Sequence, residues 1–205
     1  MHMNLPNKLT CLRVLMIPFF VIFMLLSIHS QAGIDALRAS AFAGDPAARS
    51  FIVFRWISFV IFCAASFTDF LDGQIARRCN LVTDFGKFMD PLADKLLVCS
   101  ALILLTAEGS LASWIVILII AREFIISGFR LVAADNGIVI AASWWGKFKT
   151  VSQMLLCMVL ILPKLPLMIG KAPVIAITAI AAALTLISLF DYMRKNIRVI
   201  TEGGM

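Results

Sequence analysis

The sequence has few cysteines, and none is spaced for a metal site or a disulfide framework. Single cysteines within apolar sequence usually act as small packing residues. The chain also lacks an internal repeat, and no small-residue cleavage site follows its first apolar run, so we expect no cleaved signal peptide. The five cysteines are Cys11, Cys63, Cys79, Cys99 and Cys157.

Charged residues are also scarce: they make up 15% of the chain, whereas 61% of it is hydrophobic. A soluble domain is roughly half apolar, and runs of about 20 apolar residues indicate membrane spans. We therefore predict an all-α, polytopic membrane protein with a single domain over residues 1–205. The net charge of +6 comes from basic residues that flank the apolar runs, which indicates anchoring to anionic lipid headgroups and no nucleic-acid partner.

The apolar runs predict six transmembrane helices. A short interfacial helix is expected over residues 1–13, before the first span, and an outer loop over residues 31–50. The predicted spans cover residues 14–29, 51–78, 84–107, 111–134, 143–162 and 172–192. If both termini are cytoplasmic, most of the 18 Lys and Arg residues lie on the cytoplasmic side, as the positive-inside rule requires. We therefore expect a multi-pass membrane protein in which the end of the second span and the start of the third face the cytoplasm.

Four aspartates, Asp69, Asp72, Asp90 and Asp94, lie near the ends of two neighbouring apolar runs. A charged Asp at membrane depth costs about 3 kcal/mol, so four of them require a counter-charge. Two divalent cations would neutralise the four carboxylates, and oxygen-only ligands favour Mg²⁺ or Mn²⁺. Helical spacing places each pair of aspartates on one face of its helix. The short connection between the two helices predicts that these faces are opposed.

Two other interpretations of the aspartates start from the residues alone. Intramembrane carboxylates also line cation or proton pathways, so a divalent-cation transporter is one alternative. Buried salt bridges with neighbouring basic residues are the other. A transporter is expected to contain internal repeats or broken helices around a site at the membrane centre, whereas these aspartates lie toward one end of their helices. The candidate salt-bridge partners are Arg77, Arg78, Lys87 and Lys95.

The aspartates belong to the pattern D-x2-D-G-x2-A-R-x8-G-x3-D-x3-D, which is complete in this chain and resembles the signature of the CDP-alcohol phosphotransferases. The residues that carry the resemblance are Asp69, Asp72, Gly73, Ala76, Arg77, Gly86, Asp90 and Asp94. Members of this family join an alcohol to the phosphatidyl group of a CDP-activated lipid and release CMP. The resemblance covers nearly the whole chain except residues 31–50.

The resemblance implies a role for each residue of the motif. All four aspartates would be metal ligands, and Asp94 would also be the general base for the attacking hydroxyl. Near the N-terminus, the opening of the chain resembles the bacterial glycerol-phosphate branch of the family, in which Arg13 would also help to line the nucleotide pocket. The residues expected to bind the CDP-lipid are Asp69, Asp72, Gly73, Ala76, Arg77, Asn7 and Thr10.

Four basic residues near the expected cytoplasmic ends of spans four and five, Arg122, Arg130, Lys147 and Lys149, are candidates for binding the acceptor phosphate. Positive-inside anchoring is the alternative for each of them. Arg122 and Arg130 lie within an apolar run, where a guanidinium needs an anionic partner, and Glu123 is a candidate for that partner.

The surrounding segments also resemble the glycerol-phosphate branch. The resemblance therefore implies CDP-diacylglycerol and sn-glycerol 3-phosphate as substrates, phosphatidylglycerophosphate and CMP as products, and a homodimer. Inositol phosphate or serine acceptors remain the alternatives within the family.

Overall fold

The computed structural model is built from helices that run up and down, and all regular structure in its described residues is helical. The structure describes residues 5–30, 46–79, 84–135, 143–163, 166 and 169–202. Within these ranges, side chains are described for residues 9–30, 49–68, 92–93, 95–133, 143–163, 166 and 169–196. Because a lipid environment offers no water to backbone N–H and C=O groups, helices are the expected solution for sequence this apolar.

Six long helices are present in the described ranges, and they follow the predicted spans closely. They are α1 (Leu5–His29), α2 (Pro46–Cys79), α3 (Asp84–Ala107), α4 (Ser113–Asp135), α5 (Trp144–Ile161) and α6 (Lys171–Glu202). Ser143 caps α5: its hydroxyl accepts a hydrogen bond from the backbone N–H of Gly146 at 3.2 Å. Gly109 ends the turn after α3 with a φ of 82°, a conformation that glycine adopts without steric cost.

Three described segments are long and apolar enough to cross a membrane by length and composition: Leu9–His29, Arg49–Thr68 and Lys171–Asn196. At most 28% of each segment's most apolar window is buried inside the protein, so most of this apolar surface faces outward, as lipid contact requires. The Lys95–Ala107 part of α3 is apolar but shorter. Helices α4 and α5 carry charged residues along their length. The all-helical membrane fold is confirmed, and the count of six spans stays a prediction.

The structure differs from the sequence-based expectation at the starts of α1 and α2, and α6 continues ten residues past the predicted end of its span, to Glu202. Residues from Leu5 onward belong to α1, without a separate interfacial helix, because no glycine or proline interrupts the segment between Pro6 and Pro18. Thr10 and Arg13 in this segment are buried in the protein. The last residues of the expected outer loop, from Pro46, form the first turn of α2, where the fixed φ of proline suits a helix start; residues 31–45 lie outside the described part.

The buried apolar core includes side chains from all six helices, with the largest shares from α3 and α5. Helix α1 packs along α2 and α3, α3 also packs against α5, and α6 packs against α4 and α5. On α1, the buried residues Ile17, Phe20 and Met24 follow helical spacing, and the Phe20 ring lies 5.7 Å from the ring of Phe62 on α2. This packing fixes the relative rotation of the helices that carry the candidate site.

A buried arginine connects three helices and the segment after α3, at the end of the bundle opposite the aspartate motif. The Arg55 guanidinium on α2 lies 2.8 Å from Glu108, immediately after α3, and both side chains are buried. It also donates to the backbone carbonyl of Leu160 on α5 and to the sulfur of Met24 on α1, each at 3.1 Å. We refer to Arg55 and these three partners as the Arg55 junction.

Candidate active site

The backbone places the two halves of the aspartate motif at matching heights on neighbouring helices. Asp69 is ten residues before Cys79, the last residue of α2, and Asp94 is ten residues after Asp84, the first residue of α3. At 1.5 Å per residue, both aspartates lie about 15 Å from their ends of the two helices. Only residues 80–83 separate these ends, and α2 and α3 are in contact. A substrate pocket between these helices, sunk from that end of the bundle, stays a prediction.

The side chains of the motif lie outside the described part of the structure. This applies to every residue from 69 to 91 and to Asp94, and also to Asn7. The metal-ligand, CDP-lipid and general-base assignments therefore stay predictions. They concern Asp69, Asp72, Gly73, Ala76, Arg77, Asp90, Asp94 and Asn7.

The chemistry of the donor set fits the expected cations. Four carboxylates offer only oxygen ligands, which hard divalent cations such as Mg²⁺ prefer. Among the residues whose placement is described, no group of three or more His, Cys, Asp or Glu residues is arranged to hold a metal ion. The four aspartates are not among these residues.

The two residues next to Asp94 are described, and both face other parts of the protein. Ala93 is completely buried, whereas Lys95 donates a hydrogen bond to the Ser127 hydroxyl on α4. The Ser127 hydroxyl in turn donates to the Glu123 backbone carbonyl, one helical turn earlier, at 2.5 Å. One hydrogen bond from α3 to α4 therefore links the residue after Asp94 to the segment of α4 that carries Arg122 and Glu123.

Two of the predicted phosphate-binding residues form ion pairs with Glu123 on α4. Its carboxylate oxygen Oε1 accepts hydrogen bonds from Arg122 at 3.2 Å and from the ammonium group of Lys149 on α5. Arg122 and Lys149 are 8% and 3% exposed, and the Glu123 side chain is 13% exposed. Arg122 also donates to the Ser188 hydroxyl on α6 at 2.5 Å. We refer to Arg122, Glu123 and Lys149 as the charged cluster.

A small cavity of about 20 Å³ adjoins the charged cluster, enough for about one water molecule. Its walls come from α3, α4 and α5, the same helices that carry Asp94 and the charged cluster. The lining residues are Lys95, Val98, Cys99, Ile119, Glu123, Lys149, Thr150 and Gln153.

The other two predicted phosphate-binding residues do not line this cavity. The Arg130 side chain is exposed, and its guanidinium carbon lies 6.0 Å from the centre of the Tyr192 ring on α6. Lys147 is also exposed, and its ammonium nitrogen lies 4.4 Å from the Trp144 ring. Both contacts have the geometry of cation–π interactions. The structure therefore brings Arg122 and Lys149 together and places Arg130 and Lys147 at the edges of this region.

Sequence reasoning missed the polar groups of α3, α4 and α6 that adjoin the charged cluster. These are the Lys95–Ser127 hydrogen bond, the Ser188 hydroxyl and Tyr192, which is 3% exposed. The available signal was the presence of hydroxyl side chains within strongly apolar helices. A buried polar group in such a helix needs a partner, and that requirement marks these positions as candidates.

Comparison with known proteins identifies the family. The model of the CDP-alcohol phosphatidyltransferase family matches residues 3–190. A CDP-diacylglycerol–glycerol-3-phosphate 3-phosphatidyltransferase of Bacillus subtilis (strain 168) is 40% identical over 197 residues, covering 94% of this chain and 95% of the relative. The relative of the same description from Haemophilus influenzae is 41% identical over 160 residues, covering 76% of this chain and 74% of its own. A probable phosphatidylglycerophosphate synthase of Mycobacterium tuberculosis is 37% identical over 206 residues, covering 98% of this chain and 85% of the relative. The chain belongs to the CDP-alcohol phosphatidyltransferase family, as its aspartate motif predicts.

Proposed function

We propose that this enzyme transfers the phosphatidyl group of CDP-diacylglycerol to sn-glycerol 3-phosphate, giving phosphatidylglycerophosphate and CMP. The observation that carries the choice of acceptor is the charged cluster, in which two buried cations from α4 and α5 meet beside a cavity next to α3. A phosphorylated acceptor supplies the anionic group that such cations bind. The relatives from Bacillus subtilis and Haemophilus influenzae are described by the same transfer to glycerol 3-phosphate.

In the proposed reaction, a hydroxyl oxygen of glycerol 3-phosphate attacks the phosphorus of the phosphatidyl group. The bond from that phosphorus to the CMP oxygen breaks as the new P–O bond forms, and Asp94 accepts the proton of the hydroxyl. Gly73 and Ala76 leave room on their face of α2 for the CDP group, and Arg77 contributes a positive charge toward its phosphates. The segment of α1 with Asn7 and Thr10 borders the same pocket.

The proposed cofactors are two divalent cations, Mg²⁺ or Mn²⁺, held by Asp69, Asp72, Asp90 and Asp94. When bound, they would offset the negative charge that develops on the departing CMP. The protein's own part is to hold the two substrates at adjacent sites, the CDP-lipid on α2 and α3 and the acceptor on α4 and α5.

The proposed acceptor region consists of Arg122 and Lys149, with Arg130 and Lys147 at its edges. Arg130, Lys147 and Lys149 lie on the halves of α4 and α5 nearest the aspartate motif, because the helices alternate in direction, and Arg122 lies close to the middle of α4. The same end of the bundle carries basic residues of α6, including Arg194 and Lys195. By the positive-inside rule we propose that this end faces the cytoplasm of a bacterial inner membrane. The family resemblance further implies a homodimer.

One assay tests this proposal against the alternatives within the family. The purified protein is supplied with CDP-diacylglycerol, Mg²⁺ and one alcohol at a time, and the release of CMP is followed. We expect CMP release with sn-glycerol 3-phosphate and none above background with serine or inositol phosphate. Equal or faster release with either of those alcohols would contradict the proposed acceptor, and no release with any alcohol would contradict the transfer itself.

A further inference from the structure

Tyr192 on α6 is the single tyrosine of the chain and lies beside two of the predicted phosphate-binding arginines. The Arg130 guanidinium lies against its ring at 6.0 Å, and the Phe129 ring meets it edge to face at 6.4 Å. Arg122 lies two turns before Arg130 on α4 and donates to Ser188, the residue one turn before Tyr192 on α6. The tyrosine ring is therefore held between residues of α4, next to the charged cluster.

The hydroxyl of Tyr192 is buried and has no hydrogen-bond partner within the part of the chain that the structure describes. The whole residue is only 3% exposed. Buried tyrosine hydroxyls usually find a partner, because a donor removed from water without one destabilises the protein. An unsatisfied donor beside two cations is therefore suited to a ligand that is negatively charged and rich in hydrogen-bond acceptors.

A second donor in the same place is also unsatisfied. Arg122 uses its two terminal nitrogens for Glu123 and Ser188, while its buried Nε has no partner among the described residues. The hydrogen bond to Ser188 joins Arg122 to α6, and Tyr192 lies one helical turn after Ser188 on that helix. Two unsatisfied donors thus lie on the packed pair α4 and α6, one on each helix, and Arg122 and Arg130 supply the positive charge.

We propose that Tyr192 is a specificity-determining residue that donates a hydrogen bond from its hydroxyl to a phosphate oxygen of the acceptor, beside Arg122 Nε. This proposal rests on the proposed function, because it assumes a phosphorylated acceptor at the charged cluster. A phosphomonoester satisfies both donors, whereas an alcohol without phosphate leaves them unsatisfied. The discrimination between the two acceptors then follows from the cost of unpaired buried donors.

The kinetic test replaces Tyr192 with phenylalanine, which removes only the hydroxyl. We expect the KM for sn-glycerol 3-phosphate to rise at least about tenfold, because a hydrogen bond to a charged group contributes at least that factor. The KM for CDP-diacylglycerol should stay within about twofold of the original value. The matched control is Thr178→Val on the same helix, which removes a hydroxyl that donates to the Val174 carbonyl at 2.8 Å. Equal changes for both substrates in Tyr192→Phe would overturn the proposal.

A stability measurement separates binding from a structural role. Because the hydroxyl has no partner in the described structure, Tyr192→Phe should not lower the thermal unfolding midpoint of the ligand-free protein. A lower midpoint together with a general loss of activity would mean that the hydroxyl supports the fold, and the proposal would be wrong.

A direct binding test uses the fact that the chain has one tyrosine. Protein labelled with ¹³C at tyrosine Cζ and held in maltoside micelles gives a single ¹³Cζ signal, whose shift reports hydrogen bonding at the hydroxyl. We expect the signal to move with sn-glycerol 3-phosphate and to stay in place with glycerol. Movement with CDP-diacylglycerol or a phospholipid alone would show that the hydroxyl binds a lipid phosphate, which would overturn the proposal.

The two experiments together distinguish this inference from the proposed function. If the protein releases CMP with sn-glycerol 3-phosphate but the ¹³Cζ signal does not move, the proposed function stands and the role of Tyr192 is refuted. If sn-glycerol 3-phosphate supports no CMP release at all, the proposed function fails first.

Discussion

Replacing Lys149 with methionine tests whether the charged cluster binds the acceptor. Lys149 is 3% exposed, lines the cavity and pairs with Glu123. A hydrogen bond between charged groups contributes about 1.5–3 kcal/mol, which corresponds to a factor of roughly 10–150 in affinity. We therefore expect the KM for sn-glycerol 3-phosphate to rise by that factor, with little change in the KM for CDP-diacylglycerol. Initial rates of CMP release, measured with each substrate varied in turn, give both constants.

The pairing of Lys149 with Glu123 offers a second explanation for a raised KM in Lys149→Met, and the assay must distinguish it from a loss of acceptor binding. Loss of Lys149 leaves the Glu123 carboxylate with Arg122 as its one ion-pair partner among the described residues, and the unbalanced charge by itself disturbs the site. In the double variant Lys149→Met with Glu123→Gln, that disturbance is removed. If Lys149 binds the acceptor, the double variant keeps the raised KM. Recovery of the original KM in the double variant would show that Lys149 only neutralises Glu123, and would refute the reasoning.

The matched control for this experiment is Lys195→Met on α6. The Lys195 side chain is 63% exposed and forms an ion pair with Asp191 one turn earlier, at 2.8 Å. Exposed ion pairs of this kind contribute at most about 1 kcal/mol, so both Michaelis constants should remain unchanged. A change in the control comparable to that of Lys149→Met would indicate a general effect of surface charge.

Three further predictions concern the motif, the cations and the Arg55 junction. Asp94→Asn should abolish CMP release while retaining binding of CDP-diacylglycerol, whereas Asp191→Asn, at the same end of the bundle, should leave turnover intact. Chelation of divalent cations should stop CMP release, and added Mg²⁺ should restore it; undiminished release in the chelator would remove the metal assignment. Arg55→Met leaves Glu108 buried without its partner, a loss of about 3–5 kcal/mol, and should lower the unfolding midpoint in detergent. Adding Glu108→Gln should recover part of the lost stability. If it recovers none, the loss does not come from the unpaired charge of Glu108.

The sequence predicts helix positions well because length and apolar composition determine them in a membrane protein. The predicted span over residues 84–107 coincides with α3, and the aspartates of α2 and α3 lie at matching heights as their spacing requires. The family followed from the same motif, and the comparison with known proteins confirms it.

The contacts between helices are harder to predict from sequence. The sequence offered Glu123 as a partner for Arg122, but the pairing with Lys149, which lies 26 positions later, depends on how α4 and α5 are rotated. Tyr192 and Ser188 were missed for the same reason. A helix that is apolar on all sides does not encode which face meets which neighbour, because its hydrophobic pattern has little directional preference.

The Arg55 junction has a consequence for how substrates reach the site. One guanidinium joins α2 to α1, to α5 and to the segment after α3, at the end of the bundle opposite the aspartate motif. Helices fastened together at one end separate most easily at the other, where their displacement per degree of tilt is largest. We therefore expect the lipid headgroup to enter where the helix halves nearest the aspartate motif move apart, with the junction acting as the pivot.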